Sequence, residues 1–499
     1  MNRSNQLGDN AAGDVRVRGA TFRSIVGVWF VVATMTGGGC RPSSTATTAE
    51  SPAASTEVMT ETTTPKEPAD KPNIVLVIVC TFRYDRLSAA GYLQKTTPFL
   101  DSLADGGSFL ENAVSASSWT QPSVTSILTS LTPNVHRMRN RARADKRYQK
   151  IAVLPDEIVT LPECLAEVGY ATFGRINNIQ AGDAYNIPQG FDDIVTGSLF
   201  DFDTRQMVSE FSDWLEARGS NGPFFALLLT ADAHYPFDPR YEYYRRMNRP
   251  SETVAEEAYV QYRKDISKQI HRVHSGEVLR QYRNLYAGEL AQLDDALSRL
   301  AAILREAGHG ADTLFVVTGD HGERFYERGK WFHGGAPDEA VIHVPLIMAG
   351  PGIPAGGRHK EVVRTIDIYP TLAALAGGTV PDPVQGTSLV PLIQGRGDDW
   401  APLTAFASYT SPKLTLHAVR RGRYKLYSDS RLYDLTHHPA EVRNLITDMP
   451  DVAHRLQADL SWWLEQEEEL RARVPIEEVT RQLKPKTIER LRTLGYIDD

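Results

Sequence analysis

Cysteine is scarce in this chain: three residues in 499. So few exclude a disulfide framework, and the fold must rest on its own apolar core. Positive charge is also short. Lys and Arg number 54 against 62 Asp and Glu, a net charge of −8. Nucleic-acid binding leaves a basic footprint, and this balance argues against it. The local exception is the basic run from His136 to Arg147. It reads first as a solvated face and second as an attractor for an anion near a site. No apolar run approaches the roughly 20 residues that span a bilayer. No internal repeat occurs, which excludes solenoids and propellers. What remains is an ordinary globular composition, 41% hydrophobic and 23% charged. Its length is too great for one simple core and implies a large domain with a smaller one attached.

The most informative stretch runs from Asn73 to Met138. It opens with PNIVLVIVCTFRYDRL and continues to SSWTQPSVTSILTS. Ile74 to Val79 is an unbroken apolar run that ends at Cys80-Thr81. A strand buried on both faces of a parallel sheet looks like this. Ligands of such sheets sit beyond the carboxyl ends of the strands, so Cys80 is well placed. Thr120 opens an apolar helical stretch whose first N–H groups can face an anion. TLFVVTGDHGE, from Thr313 to Glu323, repeats the pattern with Asp320 and His321 at its end.

Upstream, Arg16, Arg18 and Arg23 precede the apolar stretch Ile25 to Met35, followed by Gly37-Gly38-Gly39-Cys40. That is the order of an export signal. Small residues before a cysteine resemble a bacterial lipoprotein signal, with Cys40 as the lipidated residue, although Gly37 departs from the aliphatic residue usual there. The alternative is an uncleaved anchor. Residues 41–71 are rich in Ser, Thr, Ala, Pro and Glu, a composition expected to stay disordered and act as a tether. The expected location is the cell envelope or periplasm, on the membrane through a lipid. No bridge is expected between Cys80 and Cys164.

From Leu161 onward helix and strand alternate. LPECLAEVGY predicts a helix, YATFGRI a strand, Asp203 to Arg218 a helix, and FFALLLTADAHYPF a strand ending at His234. Residues 240–283 are charged and Tyr-rich and predict surface helices. Leu285 to Ala307 predicts a long amphipathic helix, and Asp367 to Ala376 and Thr387 to Gln394 two shorter ones. Such alternation implies an α/β fold with a mostly parallel sheet covered on both faces. Residues 401–450 predict a small α+β subdomain built on short antiparallel strands. Residues 451–499 predict a helical tail.

These residues resemble the sulfatase family of the alkaline phosphatase superfamily. PNIVLVIVCTFRYDRL is similar to that family's first strand, SSWTQPSVTSILTS to its nucleophile segment and GDHGE to its metal-ligand loop. EAVIHVPLIMAGPG, TIDIYPTLAALAG, GTSLVPLIQG and RYKLYSDSRLYDLTHHPAEVRNLI follow in the family's order. The resemblance covers roughly residues 72–450 and implies a catalytic domain over 72–400.

It also implies where the chemistry sits, and where this chain departs. The family oxidises a Cys or Ser to formylglycine within Cys/Ser-x-Pro-x-Arg. Here the pattern reads Thr120-Gln121-Pro122-Ser123-Val124. Thr120 cannot become formylglycine by that route, so none is expected. Its hydroxyl can still attack if a metal lowers its pKa, as threonine does in phosphodiesterase and phosphoglycerol-transferase relatives. Val124 replaces the supporting arginine. Asp320 and His321 match the family's later metal ligands, while Cys80 replaces a first-strand carboxylate. Ca²⁺ wants oxygen ligands; a thiolate, imidazole and carboxylate suit Zn²⁺. Two readings stay open: Cys80 marks a lost metal site, or the site has turned to a softer metal. His234, His333 and His136 stand at family landmarks for the anion and its leaving group. The lysine usual two residues after His333 is Gly335. Arg83 and Asp85 match the opening motif, to brace its loop or to touch substrate.

Two functions follow as expectations. One is a metal-dependent hydrolase of anionic sulfate or phosphate esters, with Thr120 as nucleophile. The other is an inactive relative that binds an anionic glycan or lipid headgroup. Removing one charge-stabilising donor costs about 10²–10³ in rate, so several changes together leave little of the family's usual activity unless others compensate; the hydrolase is the first expectation, the inactive relative the alternative.

Overall fold

The computed structural model describes residues 71–139, 148–199, 201–219, 221–270, 272, 275–395, 400–436, 439–474 and 477–482. The expected export signal, the tether and Cys40 lie outside the described residues, as does most of the basic run after His136.

The strands in chain order are β1 (Asn73–Val79), β2 (Ser108–Val114), β3 (Tyr148–Val153), β4 (Ala171–Ile176), β5 (Asp193–Thr196), β6 (Phe224–Thr230), β7 (Thr313–Gly319), β8 (Arg324–Phe325), β9 (Trp331–Phe332), β10 (His343–Ala349) and β11 (Gly357–Arg364). Eight of them form one sheet in the order β11-β2-β10-β7-β1-β6-β4-β5. β10 runs antiparallel to both its neighbours; the other pairings are parallel. The expected mostly parallel sheet is therefore present, with β10 the one reversed strand in it.

β1 shows why a continuous apolar run was needed. Ile74, Leu76 and Ile78 pack into the core on one face, and Val75, Val77 and Val79 into the core on the other. Side chains alternate faces along a strand, and here both faces are covered. Fully burying each such side chain contributes about 1.5–3 kcal/mol, so Val77→Asp would break the sheet at its centre.

Helices cover the sheet: α1 (Pro98–Gly106), α2 (Thr120–Thr129), α3 (Pro133–His136), α4 (Leu161–Glu167), α5 (Thr204–Arg218), α6 (Tyr241–Met247), α7 (Glu256–Gln269), α8 (Gly276–Glu306), α9 (Glu339–Ile342), α10 (Ile368–Ala376) and α11 (Val390–Ile393). No described helix is long and apolar enough to cross a membrane. Every residue of α2 is buried. The Tyr-rich segment differs from its expected surface placement: Tyr243, Tyr244, Tyr259 and Tyr282 are all buried. Tyrosine carries a large apolar ring; Tyr259 satisfies its hydroxyl by donating to Pro239 O at 2.7 Å.

A second, antiparallel sheet of β12 (Thr404–Ser411), β13 (Leu414–Arg421), β14 (Tyr424–Tyr427) and β15 (Leu432–Asp434) forms the smaller subdomain. α12 (Pro450–Ala472) lies across it through Leu456, Leu460 and Trp463. The expected helical tail is corrected in part. After α12 the chain forms β16 (Glu477–Gln482), antiparallel to β3. Its EEVTRQ sequence is charged, and charge alone hid a strand whose partner is supplied from more than 300 residues away.

Candidate active site

The sheet delivers three polar residues to one place because parallel strands end together. Cys80 follows β1, Asn178 lies just past β4, and Asp320 follows β7. The turn after β1 is forced: Thr81 has φ +62°. Its N–H donates to Asp320 Oδ1 at 3.1 Å, and its hydroxyl is within 2.6 Å of the carbonyls of Cys80 and Ala233. Gly319 permits this approach, since a Cβ there would lie 2.9 Å from Phe82 O. A left-handed non-glycine residue held by several bonds is a feature of functional sites.

The first turn of α2 completes the cluster. Thr120 Oγ1 lies 3.2 Å from His321 Nε2, 3.4 Å from Cys80 Sγ and 3.3 Å from Asn178 Nδ2. Asn178 Nδ2 also reaches Cys80 Sγ at 3.6 Å. His321 Nδ1 faces Gly322 O at 2.8 Å. A carbonyl only accepts, so Nδ1 carries the proton and Nε2 presents its lone pair to Thr120.

Cys80 Sγ, a carboxylate oxygen of Asp320 and a ring nitrogen of His321 all lie within 4.8 Å of one another, and all three residues are buried. Asp320 Oδ1 accepts from the N–H groups of Thr81 and His321. Its carboxylate lies beside the Cys80 thiol, which hydrogen-bonds to it, and its buried Oδ2 is 3.4 Å from His321 Nε2. A carboxylate oxygen, a ring nitrogen and a sulfur that close, all buried, fit a shared cation. The chemistry of the set is S, N and O, which suits Zn²⁺ better than Ca²⁺. Burial, and then the Asp320 charge, push the Cys80 thiol well above its ordinary pKa, so without a cation it stays neutral.

A second tier stands beside this cluster. The His333 ring is 4.6 Å from that of His321 and 4.9 Å from that of His234. His333 Nδ1 faces Glu323 Oε2 at 3.3 Å. Burial raises the Glu323 carboxyl to about 7 against the opposing pull of His234, His321 and Arg324. His234 Nδ1 meets Tyr235 O at 2.5 Å. Burial, with His333 nearby, lowers His234 to about 3, so it is neutral at neutral pH. The strand expected to end at His234 stops at Thr230, and His234 stands in the loop beyond.

The structure thus brings together Thr120, Cys80, Asp320, His321, His333 and His234. Two other expected residues are placed differently. Arg83 is buried and braces the loop, donating to Asp85, Glu323 O and Glu327. His136 is buried beyond the far end of α2. Its Nδ1 accepts from Met138 N at 3.0 Å and its Nε2 meets Ser126 Oγ at 3.0 Å. Both ring nitrogens serve the α2–α3 corner, so the reading of His136 as an anion ligand has no support in this geometry. The sequence reading missed Asn178 and Glu323. The strand-end logic that found Cys80 and Asp320 applies equally to Asn178, and Glu323 closes the GDHGE motif itself.

A mixed eight-stranded α/β sheet with the start of α2 and a candidate metal cluster at its strand ends is consistent with an alkaline-phosphatase-like hydrolase fold, which the comparisons support. The chain belongs to the sulfatase family, whose model matches residues 72–378. The model described as N-sulphoglucosamine sulphohydrolase, C-terminal, matches residues 327–469. An arylsulfatase of Clostridium perfringens (strain 13 / Type A) is 25% identical over 441 residues, 75% of this chain and 90% of that protein. Arylsulfatase K of Canis lupus familiaris is 29% identical over 197 residues, 36% of this chain and 37% of that protein, so the chain spans little more than a third of that relative. The structure of BT4656 with its substrate D-glucosamine-2-N,6-O-disulfate superposes with a TM-score of 0.68 at 19% identity, over 80% of this chain and 98% of that one.

Proposed function

We propose that the chain is a metal-dependent hydrolase of sulfate or phosphate esters that uses Thr120 as its nucleophile and has no formylglycine. The observation that carries this reading is the convergence of Cys80, Asn178 and His321 on the Thr120 hydroxyl, at 3.4, 3.3 and 3.2 Å. The sulfated substrate named for BT4656 and the arylsulfatase names of the sequence relatives support an anionic ester as the substrate class.

Cys80, Asp320 and His321 would hold a divalent cation, with Zn²⁺ favoured by the thiol. When bound, it supplies a Lewis acid that polarises the ester oxygens and lowers the pKa of a neighbouring hydroxyl. The residues of the chain do the rest. Asn178 donates to Thr120 Oγ1 and fixes one of its lone pairs. Thr120 gives up its hydroxyl proton to water and forms the bond to sulfur or phosphorus as the bond to the leaving oxygen breaks; a water molecule then cleaves the threonine ester, releasing sulfate or phosphate and restoring the hydroxyl. The N-terminus of α2 favours the negative charge gathered there. His333, backed by Glu323, gives a proton to the leaving oxygen, and neutral His234 lines the same side. Arg83 acts on substrate only through the loop it braces. The signal over residues 1–40, the tether to residue 71 and a lipidated Cys40 would place this activity on the membrane of the cell envelope.

A second reading, an inactive relative that binds an anionic glycan or lipid headgroup, is favoured by one observation. Thr120, Cys80, Asp320 and His321 are all 0% exposed, so attack requires the site to open. Turnover of p-nitrophenyl sulfate and p-nitrophenyl phosphate by the purified protein and by Thr120→Ala separates the two. The hydrolase reading expects turnover that is lost in Thr120→Ala. Turnover unchanged in that variant, or none in the metal-loaded parent, would sink it.

A further inference from the structure

We infer that Arg324 is a positioning residue that holds His333 in the site, an inference that rests on the reading of His333 as the group serving the leaving oxygen. Arg324 is 3% exposed and begins the short ribbon of β8 and β9, where it pairs with Phe332. Its side chain does not point at the cluster. It gathers the loop around His333 instead. Nη1 donates to Phe332 O at 3.1 Å and to Gly334 O at 2.8 Å, and Nη2 donates to Ala336 O at 2.6 Å. These carbonyls bracket His333 on both sides in sequence.

That loop needs holding. Phe332, Gly334 and Gly335 have φ of +62°, +75° and +68°. A left-handed conformation at a residue with a Cβ costs roughly 1–2 kcal/mol, so Phe332 does not stay there by preference. The planar guanidinium has donors in a fixed fork, and here they define the path of the loop. The other side of the loop is tied to the nucleophile segment: Gly334 N donates to Ser118 O at 2.6 Å, and Ser118 Oγ donates to Gly335 O at 2.9 Å.

Arg324 also orders the partner of His333. Its own N–H donates to Glu323 Oε1 at 3.2 Å, while Glu323 Oε2 faces His333 Nδ1 at 3.3 Å. The side chain therefore sets the backbone that carries the imidazole, while the peptide N–H at the same position, which any substitution keeps, orients the carboxylate beside it. The guanidinium is itself fixed by Asp338, which accepts from Nε at 2.8 Å and meets Arg328 at 3.2 Å and the Tyr427 hydroxyl at 3.4 Å. Through Tyr427 on β14, the smaller subdomain reaches the site at second hand.

The test is a double-mutant cycle in the full-length protein, with p-nitrophenyl sulfate as the probe. Arg324→Ala should lower kcat by about 10², the loss expected of a misplaced group, with KM changed less than about twofold. Arg324→Lys should fall between the two, because an ammonium lacks the fork. Arg324→Ala on top of His333→Ala should cost nothing further, since residues that act through one another are not additive. Losses that multiply, or an Arg324→Ala enzyme as fast as the parent, would overturn the inference. A second measurement does not need turnover. With ¹³C-labelled histidine, the His333 ring signal, assigned by its absence from His333→Ala, should move in Arg324→Lys while that of His136 stays. An unmoved His333 signal overturns the inference. A moved signal in a protein without turnover would leave Arg324 in place and remove the hydrolase reading.

Discussion

Thr120 Oγ1 and His321 Nε2 stand 3.2 Å apart although 201 residues separate them in the chain. The contact exists because β1 and β7 are neighbours that end together, and α2 starts over their ends. It sets the hydroxyl beside the ring nitrogen proposed as a cation ligand, at the positive end of a buried helix.

Thr120 should tolerate one substitution and not another. Thr120→Ser keeps the hydroxyl and its bonds, and its turnover should stay within about tenfold of the parent. Thr120→Ala should lose at least about 10³ in kcat, as removal of a nucleophile does. Initial rates with p-nitrophenyl phosphate and p-nitrophenyl sulfate check both.

Arg83 should matter for stability. It is buried, and its Nη1 donates to Glu323 O at 2.6 Å and to Glu327 at 2.8 Å. Arg83→Met leaves those acceptors without their donor. The loss should lie at the low end of about 3–5 kcal/mol, the range for breaking a buried pair, because Glu327 is partly exposed. The Asp85 pair adds little, because Asp85 is half exposed. Urea unfolding measures the change.

Glu467 predicts a pH dependence. It sits between α12 and the α3 corner and accepts from Thr132, Asn134 and Gln385. Burial outweighs these donors and raises its carboxyl to about 7. The folded state therefore keeps a proton that the unfolded chain releases near its ordinary value. Stability from this group is fully present below the unfolded pKa of about 4.3 and is lost as pH rises through 7. The change is on the order of 3–4 kcal/mol. Thermal melts from pH 4.5 to 8 should show the decline, and Glu467→Gln should remove that part of it.

Much of this was legible in the sequence, and the reasons are physical. The runs Ile74–Val79 and Leu314–Val317 are apolar at consecutive positions because both faces of each strand are buried, and few other structures require that. Their ends pointed to Cys80 and Asp320. The illegible parts depend on distant partners. β16 is charged and becomes a strand through β3. The tyrosines of α6 and α7 are buried by α8 and by one another, as with Tyr244 and Tyr259 at 4.6 Å between ring centres. His136 stands at a family landmark, yet its two nitrogens are taken up locally by Ser126 and Met138. Sequence placed that residue near the site; only the fold shows which way it bonds.

On the proposed reading, Cys80, Asp320 and His321 hold a soft metal beside Thr120. The direct measurement is elemental analysis of the purified protein, with Cys80→Ser beside it. About one Zn²⁺ per chain is expected in the parent, with its loss or marked weakening in the variant. Ca²⁺ retained by both proteins would contradict the role given to Cys80. A parent protein that takes up no divalent metal would contradict the site itself.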